Sequence, residues 1–423
     1  MKKLEPPKNA GYAATIVVVR SITDLPNCDN VVGIPMFGYQ SIVTKDTQVG
    51  EVGILFSAET QLSEEYARMN NLHRHGDRNV DQGQSGYLED SRRVKAIKFR
   101  GHQSNALFMP LSSLNYLGIN TDELNPGDTF DAIGGHEICR KYLLKEPTEV
   151  GINKNASKTF KRVESKFMPE HYDTDNYFRN NQLIDGNVEV IVTQKLHGTS
   201  IRIGNTIVKR KLTLRDKLAK RFGVKVSETE FGHVYGSRKV IKDVNNPYQD
   251  HFYSTDLWSE IGKTLDDRVP ENFILYGEVI GYTGGANPIQ KNYTYDQAEG
   301  TNELYIYRVA VITNQGRLID LPWDGVKAFC AEAGLKHVPE LWRGKHEDFY
   351  VGEWLDTQYS IMFPQAVPLN KGNKFVDEGV CIRAEGTAPY ILKAKSPIFL
   401  NHESKMLDEE VVDVEAEGSL VNG

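Results

Sequence analysis

Short strand-like runs closed by turn residues recur along this chain, and one of them fixes where chemistry can sit. Val188, Val190 and Val192 alternate with Glu189, Ile191 and Thr193, the period of a β-strand. The run ends at Lys195 in VTQKLHGTS, and Gly198 follows three positions later. A lysine at the end of a strand, presented by a glycine turn, offers a primary amine to a bound phosphate as a nucleophile. Lys-x-x-Gly alone is a weak pattern. It gains weight from the pieces that follow it in a fixed order.

At 423 residues the chain is too long for one ordinary core, so two domains are expected. The N-terminal MKKLEPPKNAGY lacks an apolar signal core and no apolar run approaches membrane-spanning length, which predicts a cytoplasmic protein without a membrane partner. Four scattered cysteines with no CxxC pair fit a reducing compartment and argue against a zinc or disulfide framework. The net charge of −7 leaves polynucleotide contact to a local patch. Residues 209–225, KRKLTLRDKLAKRFGVK, form one, with eight Lys or Arg against a single Asp. Lys209, Arg210, Lys211, Arg215, Lys217, Lys220 and Arg221 are its candidate phosphate contacts, close in sequence to Lys195; the bland alternative is a solvated helix face.

The order of elements predicts an α+β protein. Residues 1–145 are β-rich (ATIVVVRSI, VVGIPMFG, VGILFSA), with a helical LSEEYARMNN, and suit a small barrel. VKAIKFRGHQSNALFMPL alternates basic and apolar positions around a turn at Gly101, and Arg92, Arg93, Lys95, Lys98 and Arg100 would charge one barrel face. That is compatible with an oligonucleotide-binding barrel, the OB-fold; a purely structural β-domain fits the composition equally. Residues 146–186 read as a linker and lead-in, 187–402 as a second, strand-rich domain with helical inserts, and 403–423 as an acidic solvated tail. IRIGNTIV reads as two strands folded about Gly204-Asn205, and DLWSEIGKTLDD as an amphipathic helix with Leu257, Ile261 and Leu265 on one stripe. Gly262-Lys263-Thr264 imitates the end of a P-loop, but Leu257 stands where its first glycine is required.

After Lys195 come Ser237-Arg238 in YGSRK, Glu278 in FILYGEVIGY, Tyr307 in ELYIYRVAV, Glu378 in DEGVCIRAEG, and Lys393 and Lys395 in YILKAKS. Arg238 could be a surface ion pair and Tyr307 half-buried core. Glu278 shares a strand face with Ile274 and Tyr276, so it is either partnered or functional. Strand period puts Ile391, Lys393 and Lys395 on one face, where two ammonium groups repel unless an anion separates them.

The ordered series resembles the motifs of the covalent nucleotidyltransferase superfamily of polynucleotide ligases and capping enzymes. KLHGTS, with His197 where DNA ligases usually carry aspartate, looks most like ATP-dependent RNA ligases, in the branch that places an OB domain ahead of a nucleotidyltransferase domain built on antiparallel sheets with helices. The resemblance implies that Lys195 attacks the α-phosphate of ATP to give lysyl-AMP. It implies that Arg238 contacts the nucleotide, Tyr307 stacks on adenine, and Lys393 and Lys395 hold the α-phosphate. Glu278 would bind the ribose or order a metal-bound water, Glu378 would sit near a catalytic Mg²⁺ or Mn²⁺, and His197 and Ser200 would flank the nucleophile. Arg308 follows Tyr307 where relatives carry an acidic residue, which makes Tyr305 the alternative stacker. A lysine of ordinary pKa, about 10.4, is protonated at neutral pH, so cationic neighbours would be needed to free its lone pair. The implied substrates are RNA 5′-phosphate and 3′-hydroxyl ends, in a nicked duplex, acted on by a monomer in RNA repair. A DNA ligase or capping enzyme would share the lysine chemistry but usually carries an OB domain after the last motif, and only 28 residues follow Lys395. A catalytically inactive RNA-binding relative would be expected to have lost Lys195 or one of the paired lysines.

Overall fold

The computed structural model describes residues 4–144, 162–242, 253 and 256–409. The chain divides into two units: residues 1–144, 175–183 and 394–411 form the first, and 145–174, 184–393 and 412–423 the second. Both combine mainly antiparallel sheets with short helices. Among the described residues no helix is long and apolar enough to cross a membrane.

In the first unit seven strands form one sheet: β1 (Ala14–Val18), β2 (Thr23–Asp24), β3 (Val31–Met36), β4 (Tyr39–Thr44), β5 (Val52–Ser57), β6 (Ala106–Pro110) and β7 (Thr129–Phe130). Their order is β7-β1-β5-β6-β4-β3-β2, and the β4–β6 contact is parallel. The sheet ends at β7 and β2, so the described strands do not close into the expected barrel. The apolar runs explain why. Ile16, Ile54, Phe56 and Phe130 enter one core, while Val17, Leu55, Ile34 and Phe108 enter another. Alternate residues of β1 and β5 therefore serve opposite faces, both covered, which is what an uninterrupted apolar strand signals. Helix α1 (Glu64–Met69), capped by Ser63, supplies Tyr66 and Ala67 to the first core.

The positive face expected here is largely spent on partners within the unit. Arg92 pairs with Glu64 and Lys95 with Glu89 and Asp408. Arg100 donates to the Asn27 carbonyl. Arg93 is buried. Its guanidinium reaches Glu59 at 2.8 Å and also Asp408, and Ser404 Oγ donates to the other Glu59 oxygen. Burial alone would push the Glu59 carboxyl up, and Arg93 and Ser404 oppose that. Ser404 and Asp408 come from the last helix, Pro397–Asp408, whose Leu400 packs on Ala58 and Ala96. The acidic tail expected from residue 403 thus begins inside a helix; residues 410–423 lie outside the described set, as does 145–161 of the expected linker.

The second unit holds nine strands used below, and the greater part of a tenth, β17: β8 (Glu189–Lys195), β9 (Thr199–Lys209), β10 (Thr229–Ser237), β11 (Ile241–Lys242), β12 (Phe273–Gly281), β13 (Asn302–Ile312), β14 (Leu318–Asp320), β15 (Glu340–Lys345), β16 (Gly379–Ala384) and β17 (Tyr390–Lys395). β17, β16, β8 and β15 lie side by side in one sheet. The other sheet runs β11-β10-β9-β12-β13-β14. Its helices include α2 (Leu214–Arg221), α3 (Leu257–Lys263) and α4 (Trp323–Ala333), and we label the last helix of the chain α5. β9 runs straight through Gly204-Asn205, where a turn was expected. The Met168 sulfur would lie 3.0 Å from a Cβ at Gly204, so this glycine admits a close neighbour rather than a bend. α3 accounts for the P-loop look-alike in the same way. A Cβ at Gly262 would stand 2.1 Å from the Tyr235 ring, so Gly262 lets the helix lie on β10.

Replacing Arg93 by methionine should strand the Glu59 carboxylate in the interior and destabilise the first unit by about 3–5 kcal/mol. All four tryptophans lie in the second unit. Hydrogen exchange across β5 and α5 is therefore the readout, and unchanged protection there would show that the network contributes no stability.

Candidate active site

Lys195 is the last residue of β8, and the chain crosses from one sheet to the other within three residues, Leu196 to Gly198, before β9 begins. Register sets the neighbours. Lys195 lies opposite Gly379 of β16, which brings the preceding residue, Glu378, alongside, and Ser200 lies opposite Glu278 of β12. Lys195 Nζ is 2.8 Å from Glu378 Oε1, in a pair whose carboxylate is almost fully buried. His197 Nδ1 stands 3.7 Å from the other Glu378 oxygen.

The crossing is held by side chains as well as by strand pairing. The Gly198 N–H donates to Glu278 Oε1 at 3.0 Å, and the Ser200 hydroxyl donates to Oε2 at 3.2 Å. The His197 N–H donates to the hydroxyl of Tyr295, and Gln290 donates to the Gly198 carbonyl. Trp258 Nε1 donates to the Ser200 carbonyl, and the His197 ring meets Tyr293 edge-on at 5.0 Å. Gly198 is required by space: a Cβ there would lie 2.1 Å from the Val279 carbonyl oxygen. Next to the lysine, Gln194 bridges the Val367 backbone and Asp377 Oδ1 at 2.8 Å. Burial pushes the Asp377 carboxyl up to about 6, against the bonds from the Tyr359 N–H and Gln194.

A second group gathers around His171. Its ring packs on Tyr172, Tyr276 and, at 5.0 Å edge-on, Tyr307. Burial, with Arg308, Arg238, Lys393 and Arg383 around it, holds the imidazole well below its ordinary pKa, so it is neutral. Arg238 pairs with Asp173, whose carboxyl burial would raise but Arg238 holds low. Lys393 joins the two groups. Burial raises the Cys381 thiol, which also feels Lys195, Glu378, Lys393 and Glu278.

Eight of the nine sequence-nominated nucleotide contacts thus belong to the second unit: Lys195, His197, Ser200, Arg238, Glu278, Tyr307, Glu378 and Lys393. Lys395 is assigned to the first, where its ammonium pairs with Glu403 at 2.7 Å and lies over the Phe399 ring. Tyr307 sits at a β-bulge, because the register shifts so that Gly277 faces Ile306 and Tyr276 faces Arg308. Tyr305 lies opposite Glu278 and, with Trp342, lines a groove of about 890 Å³. Arg308, standing where an acidic residue was expected, is buried against Asp320 at 2.5 Å and stacks over Tyr172 and Tyr276. Among the nominated polynucleotide contacts, Lys209 pairs with Glu164, Arg210 with Asp216 and Lys220 with Glu228. Among the described residues, Lys211, Arg215, Lys217 and Arg221 have no ion pair.

Sequence reasoning missed Tyr293, Tyr295, Gln290, Gln194, His171 and Asp173. The alternating tyrosines of NYTYD were the available signal for the first two. The others act through contacts far apart in sequence and leave no local pattern.

Residues 188–395 match the RNA ligase family model. No curated protein matches the sequence. Solved structures of Naegleria gruberi RNA ligase are similar in fold. The complex with pyrophosphate gives a TM-score of 0.59 at 18% identity, covering 93% of this chain and 98% of that one. A lysine-to-alanine mutant with ATP and manganese gives 0.57 at 17%, covering 94% and 99%. A lysine-to-methionine mutant with AMP and manganese gives 0.56 at 17%, covering 92% and 98%.

Gly198→Ala should force the crossing open against the Val279 carbonyl and destabilise the second unit by about 3 kcal/mol. Gly352→Ala, where a Cβ meets open space, is the near-neutral control. Thermal unfolding followed by tryptophan fluorescence compares the two; equal midpoints would mean that the crossing tolerates a side chain.

Proposed function

The chain belongs to the RNA ligase family through its domain at residues 188–395, and from that premise we propose that it seals RNA by way of a lysyl-AMP intermediate, with ATP as the AMP donor. The observation that carries the reading is the Lys195–Glu378 pair at the crossing between two sheets, with Lys393 and Glu278 near it around Cys381, and Arg238 with Lys393 around His171.

In the first step Lys195 Nζ passes a proton to Glu378 and attacks the α-phosphorus of ATP as the neutral amine; a P–N bond forms, the P–O bond to pyrophosphate breaks, and the second proton leaves with pyrophosphate. Glu378 holds Nζ on its line of approach, and Lys393 and Arg238 offset charge on the phosphate. In the second step an RNA 5′-phosphate oxygen takes the AMP from Lys195. In the third a 3′-hydroxyl attacks that RNA phosphate and AMP leaves. Tyr307 stacks on the adenine, and His197 and Ser200 keep the nucleophile turn in shape.

The carboxylates fit a hard divalent cation. Glu278 and Glu378 offer buried oxygens, and among the described residues no group of three or more His, Cys, Asp or Glu could hold a metal ion. An ion here would therefore keep water and phosphate ligands, the habit of Mg²⁺ and, in the relatives' chemistry, Mn²⁺. When bound it neutralises charge on the phosphate.

The first unit serves as an RNA-binding domain built on its open sheet, the protein works as a monomer, and the substrate is a nicked duplex in RNA repair. The exposed cations Lys211, Arg215, Lys217 and Arg221 contact phosphates beside it, with Lys209, Arg210 and Lys220 available once their carboxylate partners are displaced.

Incubation with ATP and Mg²⁺ should add the mass of one AMP, an adduct absent from Lys195→Ala; folded, AMP-free protein that never forms it would remove the ligase reading. Reversing charge at Arg215, Lys217 and Arg221 should lower the salt slope of RNA binding by up to about 3. An unaltered slope would return this stretch to a solvated surface.

A further inference from the structure

The basic stretch is nearer to Lys195 in sequence than in space. β9 and β10 form a long hairpin, paired from Ile201 with Ser237 to Lys209 with Thr229. Its connection, residues 210–228, carries α2. The 11-residue β9 spans about 35 Å, so α2 stands that far along the strand from the nucleophile turn. On an A-form duplex, which rises less per base pair than B-form DNA, that separation is a little over one turn, or about twelve base pairs.

α2 is also built unlike the other helices. It buries no residue, although its start is fixed by a capping box between Thr213 and Asp216. Leu214 is 85% exposed, Leu218 57% and Phe222 77%, and they recur every four residues on one stripe; Val224, 56% exposed, follows. Arg215, Lys217 and Arg221 flank the stripe, and Lys211 and Lys225 stand at its ends, all exposed. Exposed apolar side chains in such a row mark a contact surface, and the surrounding charge requires an anionic partner. A-form duplexes present a wide, shallow minor groove edged by phosphates and floored by sugars and base edges. The stripe fits the floor and the cations fit the edges.

We infer that α2 is a second duplex-RNA contact, lying across the minor groove about one helical turn from the break that Lys195 seals. This rests on the ligase reading and deepens it, since it assigns the substrate a minimum length of duplex on one flank. It also gives the apolar stripe a role that phosphate binding alone does not.

The test uses the full chain and the variant Leu214→Ser/Leu218→Ser/Phe222→Ser, which keeps every cation. Nicked RNA duplexes are trimmed on the 3′-hydroxyl flank in one series and on the 5′-phosphate flank in another, from about 16 to about 6 base pairs. Binding is read by fluorescence anisotropy and the AMP adduct by intact mass on the same preparations. Wild type should bind at least about tenfold more weakly once one flank falls below about twelve base pairs. The variant should bind long flanks no better than wild type binds short ones, while still forming the adduct. A wild type indifferent to flank length, or a variant that keeps the threshold, overturns the inference and leaves the stripe to a protein partner. Loss of the adduct in wild type sinks the ligase reading instead, and anisotropy still decides whether α2 holds duplex RNA.

Discussion

The second unit depends on a single constraint: a strand of one sheet must become a strand of another within three residues. The crossing carries backbone N–H groups that neither sheet can pair. The Glu278 carboxylate and the Tyr295 hydroxyl take two of them. A buried carboxylate is tolerated only when donors surround it, so the residue that satisfies the turn is also locked in position by it. The same crossing places Lys195 against Glu378. Backbone accounting and the placement of Lys195 are one arrangement here, which is why the glycine at the turn cannot carry a side chain.

Charge follows a similar division. Among the described residues, many cations of this acidic protein are answered by nearby carboxylates, including several that looked available in the sequence. Arg93, Lys95 and Lys395 hold helix α5, and Arg308 is buried on Asp320. Among the described residues, α2 carries three exposed cations without an ion pair, Arg215, Lys217 and Arg221, within a single short helix. A count of Lys and Arg along a stretch therefore overstates the positive surface, and the pairing decides where an anion can be met.

Much of this was legible in the sequence. Period-two runs marked the strands, and the order of charged residues at their ends marked the candidate site. Leu257 and Trp258 announced α3. What escaped was long-range. Gly204 looked like a turn because a glycine in an apolar run has two meanings, and only the Met168 sulfur, 36 residues earlier, decides between them. The apolar runs of residues 14–57 suit an inward-facing barrel or a sheet covered on both sides, and two separate cores settle that choice. The Lys395–Glu403 pair escaped too, because Glu403, eight residues on, looked like solvated tail.

The assignment of α5 to the first unit bears on how the chain is made. Leu400 fills a gap between Ala58 and Ala96, and Ser404 and Asp408 complete the shell around Glu59 and Arg93. Domains generally fold in order of synthesis, yet here the earliest strands wait for a helix translated some three hundred residues later. Until the ribosome releases it, the nascent N-terminal sheet carries an unfilled apolar seam and a half-solvated ion pair, a state that chaperones would recognise.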